Sequence, residues 1–570
     1  MARGVAVAGA SLVSLIAFGC HVNDPTPFDP RAMTENDRAG AGSVRTTPQL
    51  RLPETRQAYS PLTTPRRRVT GDEGQPVYLS LREIMHRAAA HSNEVRVAGY
   101  DPAIAETRIT ENAAHYDPIA YTNLRYDKQF DRTPGTVIPS PSNPQQTTTI
   151  NVENNNIYTA ETGIKQYLSS GGQVQLGYQF TNSDYSPVRY TRNNYWDSEL
   201  KLQLTQPLLR EFGYEVNWAR ITVARNDQRV SLLDYRKALE DNTEQLEKDY
   251  WQLYEAEREM HISEEVLAHA RELADVLWRQ FSGGGKATIL ELSQAASSVS
   301  DREATLIRAR ARVGEISDDI KRRMSDPEFA IAGPFEIRTK DSPIDEPIKF
   351  DEQDQLETAF ANRLELGQQQ LRVNSADVAR QVAINGLFPK LDFVGQVTVQ
   401  GLQSNFDRAI NDQWGGGHLV YSLGLQLEIP LGNREATSIV RRSELQRAQA
   451  VIGYQQIQDK VSQDVASACR EVRVAYDSIR KSRESRMQLE EVLNDLNRRQ
   501  TSGEQTIDPN FVNLKLQTQE QLGNAQRTEA QEMANYNIAL STLQKAKGTI
   551  LRYNNIQMEE ERFQWDTASH

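Results

Sequence analysis

The residues with the most obvious chemical promise are Gly283-Gly284-Gly285-Lys286, a glycine run ending in a lysine. Such a run invites a phosphate loop, in which backbone N–H groups cradle the anion and the lysine adds charge. The pattern fails in three places. Gln280 stands at the first glycine position, Ala287 replaces the Ser or Thr, and a long helical pattern precedes the run where a strand is needed. A helix-to-helix turn accounts for the glycines, which permit a tight reversal through positive φ. His86, His91, His115, His261, His269 and His418 are scattered, with no HExxH spacing, and read as surface histidines. No nucleophile elbow, dinucleotide fingerprint or CxxC occurs. The chain is therefore expected to be no enzyme and to need no metal or cofactor. The acids beside the glycine turns, Glu291, Glu504 and Asp508, read first as helix caps. Asp508 precedes Pro509, and a carboxylate followed by proline suits a helix start.

Composition narrows the classes. The 570 residues are 38% hydrophobic and 25% charged, and mean hydropathy is -0.63. That is poor in apolar residues for a large globular enzyme. Past the N-terminus no run of about 20 apolar residues could span a bilayer as a helix. A formal net charge of -12 argues against nucleic acid as a partner, because phosphate contacts need a basic surface.

The two cysteines differ in setting. Cys469 lies in a helical pattern and reads as a small buried apolar residue. Cys20 ends an N-terminal segment in which Arg3 supplies positive charge and Val5 to Phe18 is apolar, the pattern of a signal peptide. Ala17-Phe18-Gly19-Cys20 resembles a bacterial lipobox, in which the cysteine thiol is acylated, although Phe18 departs from the small or aliphatic residue usual there. An ordinary signal peptide cleaved nearby is the other reading. Residues 1–20 are thus expected to be a targeting segment and 21–76, rich in Pro, Thr and Arg, a disordered tether.

The rest reads as two copies of one unit, residues 77–325 and 353–553, separated by a proline-rich equatorial linker at 326–352 and followed by a tail at 554–570. Each copy opens with short helices, 79–91 and 93–116 in the first and 353–362 and 364–387 in the second. Pro102 should kink the first copy. Strands follow, 118–206 and 389–429. A long helix comes next, 216–281 and 435–500, then a glycine turn near 284 and near 503, and a return helix. The strands alternate. Trp196, Ser198, Leu200, Leu202 and Leu204 oppose Asp197, Glu199, Lys201, Gln203 and Thr205, and Tyr421, Leu423, Leu425, Leu427 and Ile429 oppose Ser422, Gly424, Gln426 and Glu428. A soluble sandwich or a membrane barrel would fit that pattern. Tyr121, Tyr126, Tyr195, Trp196, Trp414 and Tyr421 would suit an interfacial aromatic girdle.

The long helices favour the barrel. Each lacks proline and would run roughly 100 Å at 1.5 Å per residue. Leu232, Leu239, Leu246, Leu253, Met260, Leu267 and Ala274 recur every seven residues, as do Val461, Ala468, Ala475, Ser482, Leu489 and Leu496. A seven-residue repeat implies left-handed supercoiling against neighbouring helices.

In this order and twice over, these features resemble the TolC-like outer-membrane efflux protein family. The resemblance rests on Leu79-Ser80-Leu81-Arg82-Glu83-Ile84, on Leu204-Thr205-Gln206-Pro207-Leu208-Leu209-Arg210-Glu211-Phe212-Gly213, on Leu425-Gln426-Leu427-Glu428-Ile429-Pro430-Leu431, and on the tips 284–292 and 502–507. It implies an α+β membrane protein: a homotrimer with four strands per chain in a shared outer-membrane β-barrel, continued by a long coiled-coil α-barrel in the periplasm. A periplasmic adaptor and an inner-membrane pump would dock at tips formed by Gly283, Gly284, Gly285 and Gly503. The chain would be a passive exit duct for efflux or type I secretion. Two departures stand out. Segment 157–180 reads as an additional hairpin turning at Gly171-Gly172, which either joins the barrel or caps its mouth. The family's pore-constricting acids near the start of the last helix correspond to Asn513 and Leu516, so Asp508, Glu504 and Glu291 become the candidate gate. A lipid-tethered periplasmic coiled-coil scaffold without a pore is the alternative.

Overall fold

The computed structural model describes residues 44–45, 75–134, 150–186, 194–283, 288–415, 418–502 and 509–557. In chain order the elements are β1 (Val44–Arg45), β2 (Gln75–Leu79), α1 (Leu81–His91), α2 (Asn93–Ala98) and α3 (Tyr100–Ala113), then strands β3 (Ile119–Pro134), β4 (Ile150–Tyr167), β5 (Gln173–Ser186) and β6 (Asn194–Pro207), then α4 (Tyr214–Asn217), α5 (Ala219–Ser282) and α6 (Ile289–Met324). They continue as β7 (Phe335–Thr339), α7 (Glu352–Asn362), α8 (Leu364–Asn385), β8 (Lys390–Gln403), α9 (Phe406–Gln413), β9 (Leu419–Glu428), α10 (Arg434–Ser502), α11 (Pro509–Ala546), α12 (Ile550–Tyr553) and β10 (Ile556–Gln557). The described residues fall into two compact units. One comprises those up to Tyr100, Tyr235–Asn362 and those from Asp464 on; the other comprises Asp101–Asp234 and Arg363–Gln463.

In the first unit most of the heptad positions are buried, while Ala274, Ser482 and Leu489 are half-buried. Leu239, Leu246, Leu253, Met260 and Leu267 of α5 lie inside, as do Ala468, Ala475 and Leu496 of α10. Val465, Val472 and Ile479, four residues after members of the α10 row, are buried with them. Ile84 and Met85 of α1, Leu246, Tyr250 and Leu253 of α5, and Val313, Ile316 and Ile320 of α6 share one hydrophobic core. Cys469 is a free, fully buried thiol, as its setting predicts.

Three local expectations change. The kink assigned to Pro102 falls at Gly99, between α2 and α3. Pro102 lies in the first turn of α3, where its missing N–H is not needed by the helix. The tether and the equatorial linker both contain strands: β2 pairs in parallel with β7, from Gln75 with Phe335 to Leu79 with Thr339, and β1 pairs in parallel with β10. Neither β2 nor β7 shows helical periodicity, and each finds its partner far away in sequence.

The second unit carries an antiparallel sheet in the order β3-β4-β5-β6-β8-β9. It has six strands where the resemblance implied four. The segment expected as an additional hairpin is β4–β5, longer than anticipated and fully paired on both sides: Ile119–Pro134 with Lys165–Ile150, and Gln173–Asp184 with Thr205–Asn194. Its turn needs Gly171 at φ +92, where an added Cβ would come within 2.2 Å of the Glu211 carbonyl oxygen. The strands hand over to the long helices through left-handed residues, Glu211 and Gly213 after β6 and Gly432 and Asn433 after β9. Asn217 Nδ2 donates to the carbonyls of Glu211 and Gly213 at 2.8 Å each, which holds the first of these corners.

Candidate conduit surface and helical tips

In an antiparallel ladder, residues directly opposite one another share a face. Ala120, Ile164, Leu176, Leu202, Val397 and Tyr421 form one such row across all six strands. Leu204, Val174, Gly395 and Leu423 form the next. The opposite face carries the row Asn123, Glu161, Gln179, Glu199 and Gln400, and the row Lys165, Gln175, Gln203, Gln396 and Ser422. Along these rows one face is hydrocarbon and the other is amide, hydroxyl and charge.

The polar face is internally bonded. Lys201 is paired with Glu199 and donates to Gln179 Oε1 at 3.1 Å. Gln400 Nε2 donates to Glu199 Oε1 at 2.8 Å, which carries the network from β6 to β8. The apolar face carries few such bonds, chiefly around α9 and Tyr126. Leu202, Tyr421, Leu423, Leu425 and Leu427 are all exposed there.

Tyr121 keys three strands together on the polar face. Its ring reaches over Gly163 of β4 and Gly177 of β5, its hydroxyl donates to Glu161 Oε1 at 2.8 Å, and Gln175 Nε2 donates to it at 2.7 Å. A Cβ on Gly163 would lie 2.4 Å from the Leu176 carbonyl oxygen, and one on Gly177 would lie 2.7 Å from the Tyr121 hydroxyl. Both glycines are thus required by close approach. This corrects the proposed girdle: Tyr121 and Tyr195 lie on the polar face, whereas Tyr126, Trp196 and Tyr421 lie on the apolar one.

Helix α9, unforeseen in the sequence, sits on the apolar face. Gly401 admits it, since a Cβ there would be 2.2 Å from the Ala409 carbonyl oxygen. Ser198 Oγ donates to that oxygen at 3.0 Å, Gln413 Nε2 donates to the Val399 carbonyl at 2.9 Å, and Tyr178 donates to Gln413. Phe406 packs on Phe180 and Trp196 at centroid distances of 4.9 and 5.3 Å. The hint in the sequence was a short apolar spacing, Phe406, Ala409 and Ile410, inside a polar loop.

In the helical unit the equatorial segment is stapled by side chains that sequence reasoning did not single out. The fully buried Tyr250 hydroxyl accepts the N–H groups of Lys340 and Asp341 at 3.1 and 3.0 Å, and burial pushes it well above the ordinary phenol value. Glu257 takes the Thr339 N–H at 2.9 Å and the Thr339 hydroxyl at 2.6 Å; burial still raises its carboxyl. Ser317 Oγ accepts from Ile337 N–H, Asn537 Oδ1 from Ile344 N–H, and Tyr536 donates to the Glu346 carbonyl. Arg87 bridges Asp326 and Glu328 at 2.7 Å each. Burial alone would raise the Asp326 carboxyl, but the Arg87 hydrogen bond and the Glu328 N–H hold it below the usual range.

At the first tip, Gly283 is described and its N–H bonds the Arg279 carbonyl at 3.0 Å. Gly284, Gly285, Gly503, Glu504 and Asp508 lie outside the described residues, and so does Cys20. Glu291 is 2% exposed and closes a capping box: its carboxylate accepts the Thr288 N–H at 2.6 Å while Thr288 Oγ1 accepts its own N–H. Leu516 packs against the cluster of Leu273, Leu277, Ala295 and Val512, and Asn513 is exposed. Trp278, Ile289 and Leu290 flank the turn as exposed apolar side chains. Among the described residues no group of His, Cys, Asp and Glu could hold a metal, and no helix is long and apolar enough to cross a membrane.

No family model matches the chain, and no curated protein matches it by sequence. Solved structures do match by shape. The CmeC outer membrane channel of Campylobacter jejuni aligns with a TM-score of 0.58 at 13% identity, covering 86% of this chain and 95% of that one. The outer membrane protein VceC of Vibrio cholerae gives 0.56 at 14%, covering 82% and 96%. The MtrE outer membrane channel of Neisseria gonorrhoeae gives 0.56 at 13%, covering 86% and 95%. The fold of this chain is that of the TolC-like outer-membrane channels.

Proposed function

We propose that the protein is a passive outer-membrane exit duct, working as a homotrimer with a periplasmic adaptor and an inner-membrane pump in efflux or type I secretion. The observation that carries this is the division of the sheet into one apolar and one polar, hydrogen-bonded face. An antiparallel sheet of that kind suits lipid on one side and water on the other, and a wet, charged lumen lowers the barrier for polar cargo. The exposed Phe406 and Trp414, at one end of the strands, suit the membrane interface. Conduction needs no reactive group. Detergent-extracted protein is expected to run as a trimer and to conduct ions in planar bilayers; a stable water-soluble monomer would overturn the reading.

The apolar Trp278, Ile289 and Leu290 beside Gly283, Gly284 and Gly285 support adaptor docking at the tips, with Gly503 as the second turn. Glu291 caps α6 but stays a gate candidate beside Asp508 and Glu504, which the test addresses first. Replacing both with amides should change conductance, and unchanged conductance would remove them as the gate. Cys20 is the lipid anchor in this reading. With Cys20→Ala the protein should stay in the membrane fraction, held by its strands; release into the soluble periplasm would favour the tethered scaffold.

A further inference from the structure

The strand count sets this chain apart from the four-strand unit that the resemblance implied. Six strands run as a single antiparallel meander, and both outer strands, β3 and β9, have one edge unpaired among the described residues. Unpaired strand edges do not persist in hydrocarbon, so a bilayer sheet of this kind has to close. Self-closure of six strands would leave no room for the bulky, hydrogen-bonded polar face as a wet surface, because even about eight strands leave an interior that side chains fill.

The geometry provides for closure by copies of the same chain. The count per chain is even, so β9 of one copy and β3 of the next run antiparallel, as every other pair in the sheet does. The face assignment also continues across that junction. Tyr421, Leu423 and Leu425 on β9 share the apolar face with Ala120, Leu124 and Tyr126 on β3. The β4–β5 hairpin cannot be treated as a flap over the mouth. It is paired along both sides, and Tyr121 locks it to β3 across Gly163 and Gly177.

Resting on the trimeric duct proposed above, we infer that three copies close an eighteen-stranded barrel through β9-to-β3 pairing, and that its outlet is built for bulkier cargo than a twelve-stranded one passes. With strands about 4.8 Å apart and tilted about 40°, eighteen strands give a backbone diameter of about 36 Å, against about 24 Å for twelve. The cross-section roughly doubles, into the range in which barrels enclose an open aqueous channel.

Electron cryomicroscopy of the full chain in lipid nanodiscs tests this directly. The expected particle has three-fold symmetry and a barrel about 1.5 times as wide as twelve strands allow. A three-fold particle with a barrel near 24 Å, and with β4–β5 off the wall, would overturn the inference and leave the duct standing. Particles without three-fold symmetry, or protein that stays out of the nanodisc, would overturn the duct as well.

Discussion

The two units bury their apolar residues in opposite senses. In the helical unit Leu246, Leu253, Val313 and Ile320 are completely enclosed, and the charges buried beside them, such as Glu257 and Asp326, are held by hydrogen bonds. In the sheet unit Leu202, Tyr421, Leu423 and Leu425 are exposed on one face, while glutamine, glutamate and lysine bond one another on the other. A heptad row meets its partner helices within the same chain, so one copy already satisfies it. An alternating strand offers two faces and two edges, and among the described residues one copy leaves the hydrocarbon face exposed and one edge each of β3 and β9 unpaired. The difference marks where one chain encloses its own apolar side chains and where the proposed duct would use lipid and further copies to cover them.

The largest effect that would sharpen this contrast is expected in the helical core. Leu246→Ala, at a site with no exposure, should cost about 2–5 kcal/mol in thermal or denaturant unfolding. A negligible loss would mean that the heptad row is not a core.

Next comes the apolar face of the sheet. Leu202→Arg should lower the stability of the folded, lipid-inserted protein by about 2–4 kcal/mol, whereas its neighbour Gln203→Arg, on the polar face, should cost little. Denaturant titration in lipid vesicles compares the two; equal costs, or the reverse order, would undo the face assignment.

A smaller effect tests the equatorial staple. Tyr250→Phe removes the hydroxyl that accepts two backbone N–H groups and should cost about 1–3 kcal/mol. Hydrogen exchange at Lys340 and Asp341 should rise first; unchanged exchange would show that the hydroxyl does not hold the strand.

The smallest is a pH effect. Asp326 is depressed, so its contribution is present above the unfolded carboxylate value of about 4 and is lost as pH falls through the folded one. Arg87→Met should lower the melting temperature at neutral pH, with the difference from the parent shrinking under acid. Glu257, raised by burial, acts in the other sense: its contribution holds below the unfolded value and fades as pH rises through the folded one. A gap between parent and Arg87→Met that stayed constant from neutral pH into strong acid would rule out the Arg87–Asp326 pair as its source.

Much of the fold was legible because long periodic signals average over many residues. The seven-residue rows marked α5 and α10, and the alternation at 196–205 and 421–429 marked β6 and β9. Short elements carried no such average. β2 and β7 are five residues each, and only their mutual pairing makes them strands. Helix α9 is eight residues long and depends on the space above Gly401. Candidate site residues were legible only as types. Glu291 was expected as a cap or a gate, and its carboxylate accepts the Thr288 backbone N–H while the Thr288 side chain accepts its backbone N–H.

The sequence by itself determined which faces are apolar, since side-chain period follows from backbone geometry alone. It also determined where the chain reverses, since glycine and proline act locally. Only the tertiary structure decided that the hairpin at β4–β5 belongs in the sheet, because strand pairing joins residues far apart in the chain and one strand does not specify its neighbour. It alone placed Tyr121 on the polar face, over two glycines whose missing side chains make room for the ring.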